Sequence, residues 1–171
     1  MKNIVDSVGV GETLQDREHF HLRVIATDAD VSAYIKYVDQ LPQLFSQLEF
    51  AVEEELTPYN LLHNFGSRYV LAIGYHDLLG AAMLSVVHTY SCIYGEVGYV
   101  IVKPHHRHRG IGRSLMMEAC RLAWLQKCTE VSLEVHPNLV AANQFYPSIG
   151  FKLTGTQTGL YGRNNYKCFP S

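Results

Sequence analysis

Apolar and polar residues change their period several times along this chain, and each change marks an element. From His21 to Ala26 they alternate, with Leu22, Val24 and Ala26 on one side, which is the period of a strand. Thr27-Asp28-Ala29-Asp30 then offers N-cap oxygens for a helix from about Val31, whose apolar stripe is Tyr34, Val38 and Leu41, ending before Pro42. A second helix is expected from Gln43 to Leu56, with Leu44, Leu48, Ala51, Val52 and Leu56 sharing a side and Thr57-Pro58 as its stop. Arg68–Ile73 and Leu78–His88 read as strands joined by the turn Gly74-Tyr75-His76-Asp77, and a third antiparallel strand should cover about Tyr94 to Lys103. Helical spacing returns from Ile111 to Gln126, where Ile111, Leu115, Ala119, Leu122 and Ala123 form a buried face. Glu130 to His136 alternates again, Val131, Leu133 and Val135 against Ser132 and Glu134. A short helix is expected from Leu139 to Tyr146, and two last strands within Phe151 to Phe169 around a polar turn, Tyr161 to Asn165. The sum is a mixed α/β fold: a mostly antiparallel sheet flanked by helices on both faces. Residues 1–20, poor in apolar positions, read as an N-terminal arm or cap, and 21–171 as a single domain.

Composition narrows the class. A chain of 171 residues can bury a full core as one domain, and 47% hydrophobic against 18% charged residues excludes long disorder. The net charge of −2 and a pI near 6.5 give no basic field for reading a phosphate backbone, which disfavours nucleic acid as a partner. Cys92, Cys120, Cys128 and Cys168 show no paired CxxC spacing, so a reduced, cytoplasmic chain is expected. No segment is apolar over enough length for a secretion signal or a membrane span.

Candidate chemistry concentrates in Arg107-His108-Arg109-Gly110-Ile111-Gly112. The run follows an apolar strand closed by Lys103-Pro104 and opens a helix. Helix N-termini leave backbone N–H donors unpaired and carry partial positive charge, so such a turn suits an anion, most often phosphate. A side chain at Gly110 or Gly112 would hold that anion off the backbone. Two glycines opening a helix also serve as a plain tight turn, and the six residues alone leave both readings open. A dinucleotide fingerprint lacks its third glycine here, and no Gly-Lys-Ser/Thr follows as in an ATP-binding loop.

Tyr146 stands 39 positions after Arg107, within Ala142-Asn143-Gln144-Phe145-Tyr146-Pro147-Ser148-Ile149-Gly150-Phe151. Together the two segments resemble the GNAT superfamily of acetyl-CoA-dependent N-acetyltransferases. The first is similar to its Arg/Gln-x-x-Gly-x-Gly/Ala phosphate loop, the second to its Ala-x-x-Phe/Leu-Tyr-x-x-x-Gly-Phe segment. The likeness runs from about Tyr94 to Phe151.

The resemblance implies transfer of an acetyl group from acetyl-CoA to a primary amine of a small molecule or protein. Such a transfer needs an amine that loses a proton, donors for an oxyanion, and a proton for the departing thiolate. By resemblance Glu96, partly desolvated on its strand, would take the proton directly or through water, with an exposed strand glutamate as the plain alternative. Tyr146 would be the acid, with a packed aromatic as the alternative. Pro147 departs from the family pattern and could end the helix at Tyr146 and tilt its ring. The backbone of Val100, Ile101 and Val102 would pair with the pantetheine arm where the strand splays. Arg107, His108, Arg109, Gly110, Ile111, Gly112 and Arg113 would hold the pyrophosphate. Asn138, one place earlier than the family's asparagine, would touch the cofactor or serve as an N-cap, with Asn143 its rival.

His105-His106-x-His108 invites a metal, but no second ligand cluster accompanies it, and none is expected. Glu53-Glu54-Glu55 reads as a solvated face or as an acidic rim favouring a cationic amine. A longer acyl-CoA donor, a protein or nucleic-acid acceptor, and a non-catalytic CoA-binding domain are the competing readings. A homodimer is left open.

Overall fold

The structure is a computed structural model that describes residues 19–48, 67–159 and 162–170. Seven strands form one sheet in the order β1-β2-β3-β4-β5-β7-β6. β1 (His21–Ile25), β2 (Arg68–Ile73), β3 (Leu78–His88) and β4 (Ile93–Val102) are antiparallel neighbours. β5 (Glu130–Val135) runs parallel to β4, and β7 (Arg163–Cys168) and β6 (Lys152–Gln157) extend the sheet antiparallel. This is the expected α/β architecture with helices on both faces.

The expected first helix is divided into α1 (Asp28–Ala33) and α2 (Ile35–Val38), and α3 (Leu41–Phe45) spans its expected end and the start of the expected second helix. A capping box starts α1: Asp30 N–H donates to Thr27 Oγ1 at 3.2 Å, and Thr27 N–H donates to Asp30 Oδ2 at 2.9 Å. Tyr34 leaves helical angles at φ −119°, ψ 22°, which ends that helix. Pro42 stops nothing, because it lies within the first turn of α3, where no backbone N–H is needed. The expected second helix is helical only to Phe45, since Ser46 caps α3 and residues 46–48 form a turn; residues 49–56, with Glu53-Glu54-Glu55, lie outside the described residues, as do residues 1–18.

α4 (Ile111–Leu125) and α5 (Val140–Ser148) lie on the other face. α4 buries Ile111, Leu115, Met116, Ala119, Cys120 and Ala123 against Val97, Val131 and Leu133 of the sheet. A second core, built on Phe45, Tyr69, Leu71, Ile73 and Ile101, fills the space under α1–α3. Arg163, Asn164 and Asn165 pair within β7 instead of lying in the expected polar turn Tyr161 to Asn165, and Gly162 N–H donates to the Gly159 carbonyl at 3.1 Å.

α5 does not end at Tyr146. It continues through Pro147 to Ser148. Proline removes the N–H that would serve the Asn143 carbonyl. The Tyr166 hydroxyl of β7 lies 3.4 Å from that carbonyl, but its one proton has a closer acceptor in Asn143 Oδ1, 2.9 Å away.

Candidate active site

β4 and β5 pair over only three rungs: Tyr94 with Glu130, Gly95 with Val131 and Glu96 with Ser132. Both strands run on, β4 to Val102 and β5 to Val135, so they part directly after Glu96. Just past that point β4 carries one extra residue, since Ala81 pairs with Ile101 but Met83 with Gly98. Tyr99, within this bulge, has φ 49°, a left-handed backbone that a bulky residue adopts only where its surroundings enforce it. The parting leaves Val100, Ile101 and Val102 without a strand partner on the β5 side. Val100 and Val102 lean on the α4 core, and Ile101 is buried in the core under α3.

The open end of the parting meets the start of α4. A turn of 3-10 helix, Pro104–His106, leads into it, and His108 (φ 61°) and Gly110 (φ 82°) are both left-handed. The first helical bond of α4 is Ser114 N–H to the Gly110 carbonyl, 3.0 Å, so the amides ahead of it have no partner inside the helix. Arg107 folds back, its Nε donating to the Val102 carbonyl at 3.0 Å, and Arg109 and Arg113 are exposed. A Cβ on Gly112 would lie 3.6 Å from Phe145 and 3.8 Å from Val102. Helix α4, helix α5 and strand β4 therefore meet at this glycine.

Glu96 points away from α4, because its neighbours Gly95 and Val97 pack toward it. Its side chain is exposed rather than partly desolvated, and it makes no hydrogen bond or ion pair among the described residues. Other carboxylates on that face are engaged: Glu130 with Lys167 at 2.6 Å, Glu134 with Arg163 at 3.7 Å.

Tyr146 is 8% exposed and packs against Phe145, Phe151 and Tyr166 with ring centroids 5.2–6.0 Å apart. Its hydroxyl has no hydrogen-bond partner among the described residues, and burial pushes its ionisation up to about 12. A buried hydroxyl left without a partner costs about 1–3 kcal/mol.

The sequence model of the acetyltransferase (GNAT) family matches residues 32–151. The chain belongs to the GNAT family. No curated protein sequence matches it. Among solved structures, a GNAT-family protein from Desulfovibrio desulfuricans is 18% identical, covers 88% of this chain and 99% of that chain, and superposes with a TM-score of 0.71. Nourseothricin acetyltransferase is 29% identical over 59% of this chain and 64% of that chain, with a TM-score of 0.52. A Bacillus anthracis structure with acetyl coenzyme A bound is 20% identical, covering 60% and 62% respectively, with a TM-score of 0.55.

The GNAT residues do not gather equally. Glu96 and Val100–Val102 lie at the strand parting and Arg107–Arg113 at its open end, while Tyr146 sits on α5, packed against Phe145, Phe151 and Tyr166. Asn138 does not cap α5 through its side chain, since the N-cap position is Leu139 and carries no side-chain cap. Asn143 is fully engaged in the fold. Its Nδ2 donates to the carbonyls of His136, Pro137 and Leu139 at 3.0, 3.3 and 2.9 Å, and its Oδ1 accepts from Asn164 and Tyr166 at 2.8 and 2.9 Å. His105, His106 and His108 join no group of three metal-ligating side chains among the described residues. Glu134 carries no motif that would single it out along the chain. Its alternation with Ser132 is visible there, but only the parting reveals it as a carboxylate on the opposite wall, on the face of Glu96.

Proposed function

We propose that this GNAT protein transfers the acetyl group of acetyl coenzyme A directly to a primary amine. The observation that carries the reading is the parting of β4 from β5 directly after Glu96, whose carboxylate has no partner among the described residues, with the Tyr146 hydroxyl, likewise without one among them, in the core on the other face. Acetyl coenzyme A supplies the acyl group and a thiolate leaving group. The amides of Arg107–Arg113 suit its pyrophosphate, because they converge at a helix start. The unpaired edge of Val100–Val102 offers backbone donors and acceptors to its pantetheine arm.

Glu96 takes the proton that the amine nitrogen loses as its bond to the acyl carbon forms. Tyr146 gives its proton to sulfur as the carbon–sulfur bond breaks. A phenol raised to about 12 stays protonated at neutral pH and is ready to donate. The likeness to nourseothricin acetyltransferase supports a small-molecule acceptor. Glu134 is the alternative proton acceptor, because it lies beyond the last β4–β5 rung on the face of Glu96.

The test is acetyl-CoA turnover against pooled amines, peptides and aminoglycosides, repeated with longer acyl-CoA donors. Glu96→Gln should lower the neutral-pH rate roughly 10²-fold or more, with partial recovery as free amine rises with pH. A Glu96→Gln enzyme that keeps its rate while Glu134→Gln loses it would transfer the role to Glu134. Tight acetyl-CoA binding with no turnover of any amine would leave a cofactor-binding domain instead.

A further inference from the structure

Glu96 has a serine in register on each side, Ser85 of β3 and Ser132 of β5. Cross-strand partners present side chains on the same face with Cβ atoms about 5 Å apart. The two hydroxyls are used differently. Ser132 Oγ is directed at the Gly95 carbonyl, 3.4 Å away. Ser85 Oγ lies 2.8 Å from Ser67 Oγ, and Ser67, 4% exposed, is the buried polar side chain among the described residues. Each hydroxyl offers one donor and two acceptor sites. When Ser85 accepts from Ser67, its own proton remains to be given. The carboxylate in register beside it is Glu96, which has no partner among the described residues.

We infer that Ser85 is a positioning residue for Glu96: it accepts from Ser67 and donates to a Glu96 carboxylate oxygen through one water, holding that carboxylate at the parting of β4 and β5. The inference rests on the reading of Glu96 as proton acceptor. A Ser67–Ser85 bond that goes no further would be a plain cross-strand rung, so the test must see the carboxylate itself. The other titratable groups facing Glu96 are Tyr94 and Tyr99 on β4, Tyr69 on β2, Glu130 and Glu134 on β5, and Lys167 and Arg163 on β7. Helix α3, packed on β4 from this side, carries none.

A donor to the charged form favours ionisation, so its removal moves titration of the carboxylate to higher pH. The experiment is a 13C NMR titration of glutamate side chains in the full chain, with the Glu96 signal assigned by its loss in Glu96→Gln. Ser85→Ala should move the Glu96 midpoint upward by about half a pH unit, and Ser85→Thr, which restores a hydroxyl, should bring it back. Ser67→Ala removes only the far hydroxyl and should give a smaller shift of the same sign, which keeps the test alive should Ser85→Ala fail to fold. Ser132→Ala should leave the midpoint in place, because that hydroxyl is directed at a carbonyl. An unmoved midpoint in Ser85→Ala and Ser67→Ala, or an equal shift in Ser132→Ala, overturns the inference. Loss of the base reading shows separately, as full turnover in Glu96→Gln.

Discussion

Gly110 and Gly112 stand two residues apart and do different work. Gly110 holds φ 82° with open space where a Cβ would go, so Gly110→Ala strains the backbone by about 1–2 kcal/mol without a clash. It should lower Tm as well as cofactor affinity. Gly112 is helical, and a Cβ there meets Phe145 and Val102 at ordinary contact distances. Gly112→Ala should therefore melt like the wild type while binding acetyl-CoA roughly tenfold more weakly, because phosphate needs close backbone approach; calorimetry beside a melting curve separates the two. Tyr146 gives a sharper contrast. Its buried hydroxyl, without a partner among the described residues, is a cost to the free protein, so Tyr146→Phe should raise Tm even as it lowers kcat more than acetyl-CoA affinity. A lower Tm in Tyr146→Phe would mean that the hydroxyl has a structural partner and that the acid role lacks its physical basis. The glycine loop and the tyrosine were legible because their chemistry is local. The exposure of Glu96 was not, since what covers a strand face is decided by distant segments.

At the scale of elements, one polar side chain ties α5 to its neighbours beside the apolar packing of Phe145 and Tyr146. Asn143 joins the end of β5, the first turn of α5 and strand β7 through five hydrogen bonds. Asn143→Ala should cost about 2–4 kcal/mol, since it leaves several half-buried partners unsatisfied. By loosening the helix that carries Tyr146 it should also lower kcat. Asn143→Asp should recover little, because the three bonds to carbonyls need an N–H donor; thermal melts of both variants check this. The β2–β3 hairpin was readable to the residue, as Gly74 to Asp77 punctuates it and Gly74 N–H closes the turn on the Asp77 carbonyl at 2.9 Å. The break at Tyr34 carries no glycine or proline to announce it. The passage of α5 through Pro147 goes against the local preference of a residue before proline, and nothing in the flanking sequence announces it. The parting of β4 from β5 is a relation between two strands, and no period within either one encodes it.

Taken whole, the molecule hides acidic protons in its core, and this sets how it responds to alkali. Burial pushes Cys120, which has Cys168 beside it, from 9.0 up to about 12, and Tyr146 from 10.0 up to about 12; burial also raises Tyr69. All three are acids whose folded values lie above their unfolded ones. Below about pH 9 both states hold these protons, and the full stability is present. Above it the unfolded chain releases protons that the folded chain keeps, so stability falls as pH rises through 9 toward 12. Each tenfold difference in acidity between the two states corresponds to about 1.4 kcal/mol, so by the top of that range the loss is on the order of 2 kcal/mol for Tyr146 and about twice that for Cys120. The acid side is gentler, because the carboxylates with lowered values, Asp30 bonded to Thr27, Asp77 to Lys103 and Glu118 to Arg121, lie near the surface. Tm should thus be nearly level from pH 6 to 8 and decline from about pH 9. The double variant Cys120→Ala, Tyr146→Phe removes two of the three groups, so its Tm should decline distinctly less steeply over the same range. Scanning calorimetry from pH 6 to 11 decides the matter: parallel declines in wild type and double variant would mean that other groups govern alkaline unfolding, whereas a flattened decline assigns it to the protons held in the core that also shapes the Tyr146 site.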